Sequence, residues 1–169
     1  MSTASKLALA FAAVAFAGAS VAQAQVSGSI AANATVQTPL TVTGAAPLEF
    51  GNVFPGVNKT IDAVAGGASA GRFDVAGQGS AQVNIDFILP TNLVNGGNNL
   101  AIGTWTAARF GTNTQASGVA FNPTGTETTN LDAAGTLFVW LGGQVSPTAA
   151  QVAGLYTANV TMTVAYTGL

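Results

Sequence analysis

The 169-residue chain has no cysteine and no histidine, and charged residues make up only 6% of it. Without cysteine, no disulfide can staple the fold, and thiolate nucleophiles and Cys-ligated zinc are excluded. Without histidine, the commonest catalytic base and metal ligand is missing as well. The six acids, Glu49, Asp62, Asp74, Asp86, Glu127 and Asp132, are scattered, and no Asp-x-Asp-x-Asp calcium loop or Gly-Lys-Ser/Thr phosphate cradle occurs. The reading is a non-enzymatic protein with no catalytic residues, cofactor or metal. Beyond Lys6 the only basic residues are Lys59, Arg72 and Arg109. Three cations cannot make a phosphate-binding surface, so nucleic acid is excluded as a partner.

Long apolar runs are also missing, apart from one near the start. Residues 1–24, MSTASKLALAFAAVAFAGASVAQA, carry a single charge at Lys6 and an apolar stretch from Leu7 to about Val21, and they close on Ala22-Gln23-Ala24. This is the pattern of a secretory signal peptide with its small-x-small cleavage site. The run is too short and too rich in alanine to span a bilayer, which takes roughly 20 apolar residues. The expectation is export to the periplasm, cell surface or exterior, with no transmembrane segment in residues 25–169. High hydrophobicity with low charge is the reverse of a disordered composition. A surface of Thr, Asn, Ser, Gln and Gly repels other copies weakly, which suits a fibre or coat.

The remaining apolar residues recur with a period of two. In SAQVNIDFILP, Ala81, Val83, Ile85, Phe87 and Leu89 share one face, while Gln82, Asn84 and Asp86 share the other. Pro90 ends that strand, and Asn95-Gly96-Gly97 is a hairpin-turn signal leading into a strand over residues 100–105. Residues 136–141, TLFVWL, are apolar on both faces and read as a central, doubly covered strand. Shorter strands are expected at 48–53, 60–64, 72–75 and 119–121, and one helical turn within 146–154. Gly and Pro punctuate these runs, Gly142-Gly143 among them. Many short strands separated by turns predict an all-β, antiparallel sandwich at 39–169. The loop-rich stretch 111–135 and the rings of Trp105 and Trp140 are the candidate contacts of a second reading, a self-complete secreted module that binds a glycan or surface polymer.

Both ends of the exported chain alternate. At 25–38, Val26, Ile30, Ala32, Ala34 and Val36 fall on one parity together with Gly28. Fully extended, residues 26–42 reach ~57 Å, against a radius of gyration of ~15 Å for a domain of this size. The segment therefore either bends near Pro39 as an edge strand shared between sheets, or supplies a donor strand to a neighbouring subunit. At the other end, Gly154 precedes a run in which Tyr156, Val160, Met162, Val164 and Tyr166 alternate with polar residues. It reads as one strand over 156–166, facing the core and bordering any acceptor groove.

Two stretches carry a family resemblance. PLTVTGAAPLEFGNVFPG (39–56) and LFVWLGGQVSPTAAQVAGLYTANVTMTVAYTGL (137–169) resemble a secreted bacterial pilin-like domain family of unknown function. That family is related to spore coat protein U-like proteins and to the cysteine-free subunits of alternative and archaic chaperone–usher fimbriae. Gly154 stands 12 residues before Tyr166, as a glycine precedes a near-terminal tyrosine in chaperone–usher pilins; here Thr167, Gly168 and Leu169 follow, so the tyrosine is not penultimate. The resemblance implies an immunoglobulin-like sandwich and a structural subunit of a surface fibre or coat. It further implies self-association by donor-strand exchange, with a periplasmic chaperone and an outer-membrane usher as partners.

Overall fold

The computed structural model describes residues 26–168, so the expected signal peptide lies outside the described residues. The chain divides into two units, Met1–Thr35 and Val36–Leu169, and the second carries every strand described. The strands are β1 (Thr41–Ala46), β2 (Lys59–Ile61), β3 (Gly71–Ala76), β4 (Gln82–Ile88), β5 (Asn92–Asn95), β6 (Asn98–Phe110), β7 (Val119–Phe121), β8 (Glu127–Asn130), β9 (Thr136–Ser146) and β10 (Thr161–Tyr166). All pairings are antiparallel and fall into two sheets, the sandwich that the period-two pattern predicts. No described helix is long and apolar enough to cross a membrane.

The larger sheet runs β1-β3-β9-β6-β5. β2 lies end to end with β3 along β9, and β7 lies end to end with β5 along β6. β9 is central, as its two apolar faces require: Leu137, Val139, Leu141 and Val145 are buried, and so is Trp140. The smaller sheet is β10-β4-β8. It covers one half of the larger sheet, where Val83, Ile85 and Met162 meet Val75, Leu137 and Val139. The other half, with Leu93, Leu100, Ile102 and Val145, is covered by residues 47–58 and 147–160, which bring Leu48, Phe50, Val53 and Tyr156 onto it.

Several expectations needed correction. Residues 48–53 form a loop, because Leu48 and Phe50 turn into the second core cluster and leave no sheet edge to pair with. Residues 146–154 hold a tight turn, closed by the Gln151 N–H on the Thr148 carbonyl at 3.1 Å, and no helix. Gly142 and Gly143 do not make a turn; they lie within β9. Beside them the chain leaves β2 and climbs over the outer face, burying Ala63 against Trp140 and Ala108. The strand expected at 156–166 starts only at Thr161. Before that, Thr157 pairs with Val94 of β5 through backbone bonds of 2.9 and 3.1 Å. The closing segment thus crosses from the edge of one sheet to the edge of the other.

Candidate functional site

The two lateral sides of the sandwich differ. On one, Arg109 of β6 reaches Glu127 of β8 at 2.6 Å, a half-buried ion pair that ties the sheets together. Both sides end in strands that pair with a single neighbour among the described residues, β7 and β8 on this side and β1 and β10 on the other, but no ion pair joins β1 to β10. Exposed edges are normally blunted by charge or proline. Neither β1, TVTGAA, nor β10, TMTVAY, has either.

The groups that β10 presents can be identified. Thr167 N–H donates to the Gln82 carbonyl at 3.2 Å, so Thr167 faces Gln82 as a hydrogen-bonded pair in the β10–β4 register. Antiparallel ladders alternate such pairs with non-bonded ones. Thr161, Thr163 and Ala165 therefore turn their backbone groups to β4. Met162, Val164 and Tyr166 turn theirs to the empty edge, while their side chains point inward to the first core cluster.

Beyond the Thr161 end of this edge lies a groove of about 1240 Å³, lined as far as Val160 but not by Met162, Val164 or Tyr166. One wall runs through Gly44, Ala46, Leu48 and Phe54, the other through Leu155, Ala158 and Val160, and Phe73, Leu93 and Trp105 form the floor. Val42 sits opposite Val75, so it faces the core side, and it is 38% exposed. At the far mouth, Phe54 and Leu155 are 69% and 81% exposed.

Of the residues expected to border a groove, Met162 is buried and Val164 and Tyr166 are half-buried against the same cluster. Val160 lines the groove, and Tyr156 packs on the second cluster with its hydroxyl donating to the Val152 carbonyl at 2.8 Å. Gly154 has a φ of +152°, and a Cβ there would strike the Asn95 side-chain amide, so only glycine seats this segment against the β5–β6 turn. Tyr166 has a role no sequence signal indicated. Its hydroxyl accepts the Gln78 N–H at 2.6 Å and donates to the Thr38 carbonyl at 2.7 Å. Thr38 in turn donates from its own hydroxyl to Gln78 Oε1 at 3.1 Å.

Residues 26–40 carry no strand. Val26, Ile30 and Val36 are 94–96% exposed, and Ala32 and Ala34 are exposed too, so the edge strand kinked at Pro39 is not formed. Trp140 is buried, whereas Trp105 is half-buried against Phe50 and Ile102 and shows its remaining surface to the groove. Among the described residues no cluster of acids could hold a metal ion.

The family model described as "Domain of unknown function (DUF4402)" matches residues 40–166, and the chain belongs to that family. No curated protein matches it.

Proposed function

We propose that this sandwich, with one side open between two uncharged strand edges, is a structural, non-enzymatic subunit of a bacterial surface fibre or coat, resembling the pilins. In this reading the signal peptide directs export, and residues 26–36 of one copy add as a strand to the open side of the next. A periplasmic chaperone and an outer-membrane usher are the partners such a subunit would use. The observation that carries the reading is the pairing of an unmet need with its complement. β10 offers the unpartnered backbone groups of Met162, Val164 and Tyr166 beside an apolar groove. The same chain holds an exposed, unpaired stretch in which Val26, Ile30, Ala32, Ala34 and Val36 alternate with polar residues. Burying two or three of these aliphatic side chains contributes ~1.5–3 kcal/mol each, with main-chain pairing in addition.

The test is removal of residues 25–36. The shortened protein is expected to keep its sandwich, by circular dichroism and thermal melting, and to stay monomeric under conditions where the longer protein polymerises. Fibres or ladders of the shortened protein, seen by electron microscopy or native gels, would sink the reading.

A further inference from the structure

The open edge of β10 has two unlike ends, and the one at Tyr166 bears on how a strand sits along it. At one end the Tyr166 side chain crosses from the smaller sheet to the edge of the larger one, held by Gln78 and Thr38. Leu40 packs into the same corner. A Cβ on Gly77 would lie 2.6 Å from the Tyr166 hydroxyl and 2.7 Å from Leu40 Cδ2, so the corner is filled. Past the other end, at Thr161, the chain lines the groove through Val160, and Phe54 and Leu155 stand exposed.

We infer that Tyr166 is the end stop that sets the register of a strand added to β10, seating Gly28 of the incoming chain opposite itself. The inference rests on the strand-addition reading. A residue directly opposite Tyr166 on the added strand turns its side chain to the same inward side. That space is taken by the Tyr166 ring, so the opposing residue must have no side chain. Among the inward set Val26, Gly28, Ile30, Ala32, Ala34 and Val36, only Gly28 qualifies.

The same corner fixes the direction. Each chain's own residues 26–38 run toward Thr38, which is held at the Tyr166 end, and β10 also runs toward Tyr166. A chain's own tail lying along β10 would therefore be parallel to it. A tail from another copy can run antiparallel, the geometry in which paired residues exchange two straight hydrogen bonds. Antiparallel, with Gly28 opposite Tyr166, Ile30 falls opposite Val164, Ala32 opposite Met162 and Ala34 opposite Val160. Ile30, the largest residue of the set, then falls beside Val164, which is only partly buried on the first core cluster.

The absence of native cysteine makes the register readable by disulfide trapping. Full-length exported chains carrying Ile30→Cys are mixed with chains carrying Val164→Cys, and separately with Met162→Cys; Ala32→Cys is mixed with Val164→Cys. Directly opposed, bonded pairs have Cα atoms about 5.5 Å apart, whereas a two-residue slip takes them beyond the roughly 7 Å a disulfide can bridge. The expected result is that the Ile30–Val164 pair forms intermolecular disulfides at least about tenfold faster than either slipped pair. Tyr166→Phe keeps the ring and should keep this register. Tyr166→Ala removes the stop and should let the Ala32–Val164 pair form as well. A slipped pair dominating in the unaltered-Tyr166 background, or equal yields from all pairs, would overturn the register while leaving strand addition standing. No intermolecular disulfide from any pair would overturn both.

Discussion

At the level of single residues, close approach explains positions that composition alone cannot. Gly142 looks like turn punctuation in the sequence, yet it sits in the middle of the central strand. A Cβ there would lie 2.3 Å from the Ile61 carbonyl oxygen and 2.7 Å from the Ala63 nitrogen, where the chain climbs over the sheet. Gly142→Ala should cost roughly 1–3 kcal/mol, as overpacking does, and lower the urea midpoint without changing strand content. Asp132 gives a pH signature. Its carboxylate accepts the Thr136 N–H at 2.6 Å and the Thr136 hydroxyl at 3.0 Å, and the backbone bond above all holds its pKa below the ordinary 3.8. A carboxylate whose folded pKa is depressed adds stability that is complete above the unfolded value and lost as pH falls through the folded one. Asp132→Ala should therefore be destabilised relative to the unaltered protein at neutral pH. The gap in denaturation midpoint should close as pH drops below 3.8.

At the level of elements, legibility followed the number of signals that agreed. β4 was readable because strict alternation and Pro90 coincide, and the β5–β6 hairpin because Asn95-Gly96-Gly97 needs a positive φ, found at Gly96 (+58°). β7 matches its expected bounds, and β3 exceeds its own by one residue at each end. The failures share a cause: alternation reports a chain that can be extended, and says nothing about whether a partner strand is there. Residues 26–40 alternate and carry no strand, and 156–160 alternate but are drawn to β5 through Thr157. β6 shows the opposite effect. Its one-residue bulge between Gly103 and Thr106 switches the inward parity from Ile102 to Trp105 and Ala107, which hid its 13-residue length from a period-two reading. The β10 register yields a paired prediction. Val164 turns its N–H to the empty edge, whereas Thr163 turns its own to β4. Val164→Pro should leave a folded sandwich, weakened by about 1–2 kcal/mol through lost packing, that no longer accepts a strand. Thr163→Pro should disrupt the internal ladder and lower the melting temperature far more.

At the level of the whole molecule, the sheets are tied by the Arg109–Glu127 ion pair on one side and by the Tyr166 hydroxyl on the other, where the second edges of β1 and β10 have no partner among the described residues. The fold class was legible because period and punctuation extend along residues 39–169. The open side was not, since it depends on which strands end at an edge. On the strand-addition proposal, so lightly charged a protein should keep any assembly intact in high salt; dissociation between about 0.1 and about 1 M NaCl, where screening shortens to about 3 Å, would point to an ionic interface instead. The most direct test of strand addition between copies is residue-resolved amide hydrogen exchange at Met162, Val164 and Tyr166, comparing assembled full-length protein with monomers lacking residues 25–36. Protection of these three amides only in the assembly, with Thr161, Thr163 and Ala165 protected in both, is the predicted result. Equal exchange of Met162, Val164 and Tyr166 in the two states would contradict it.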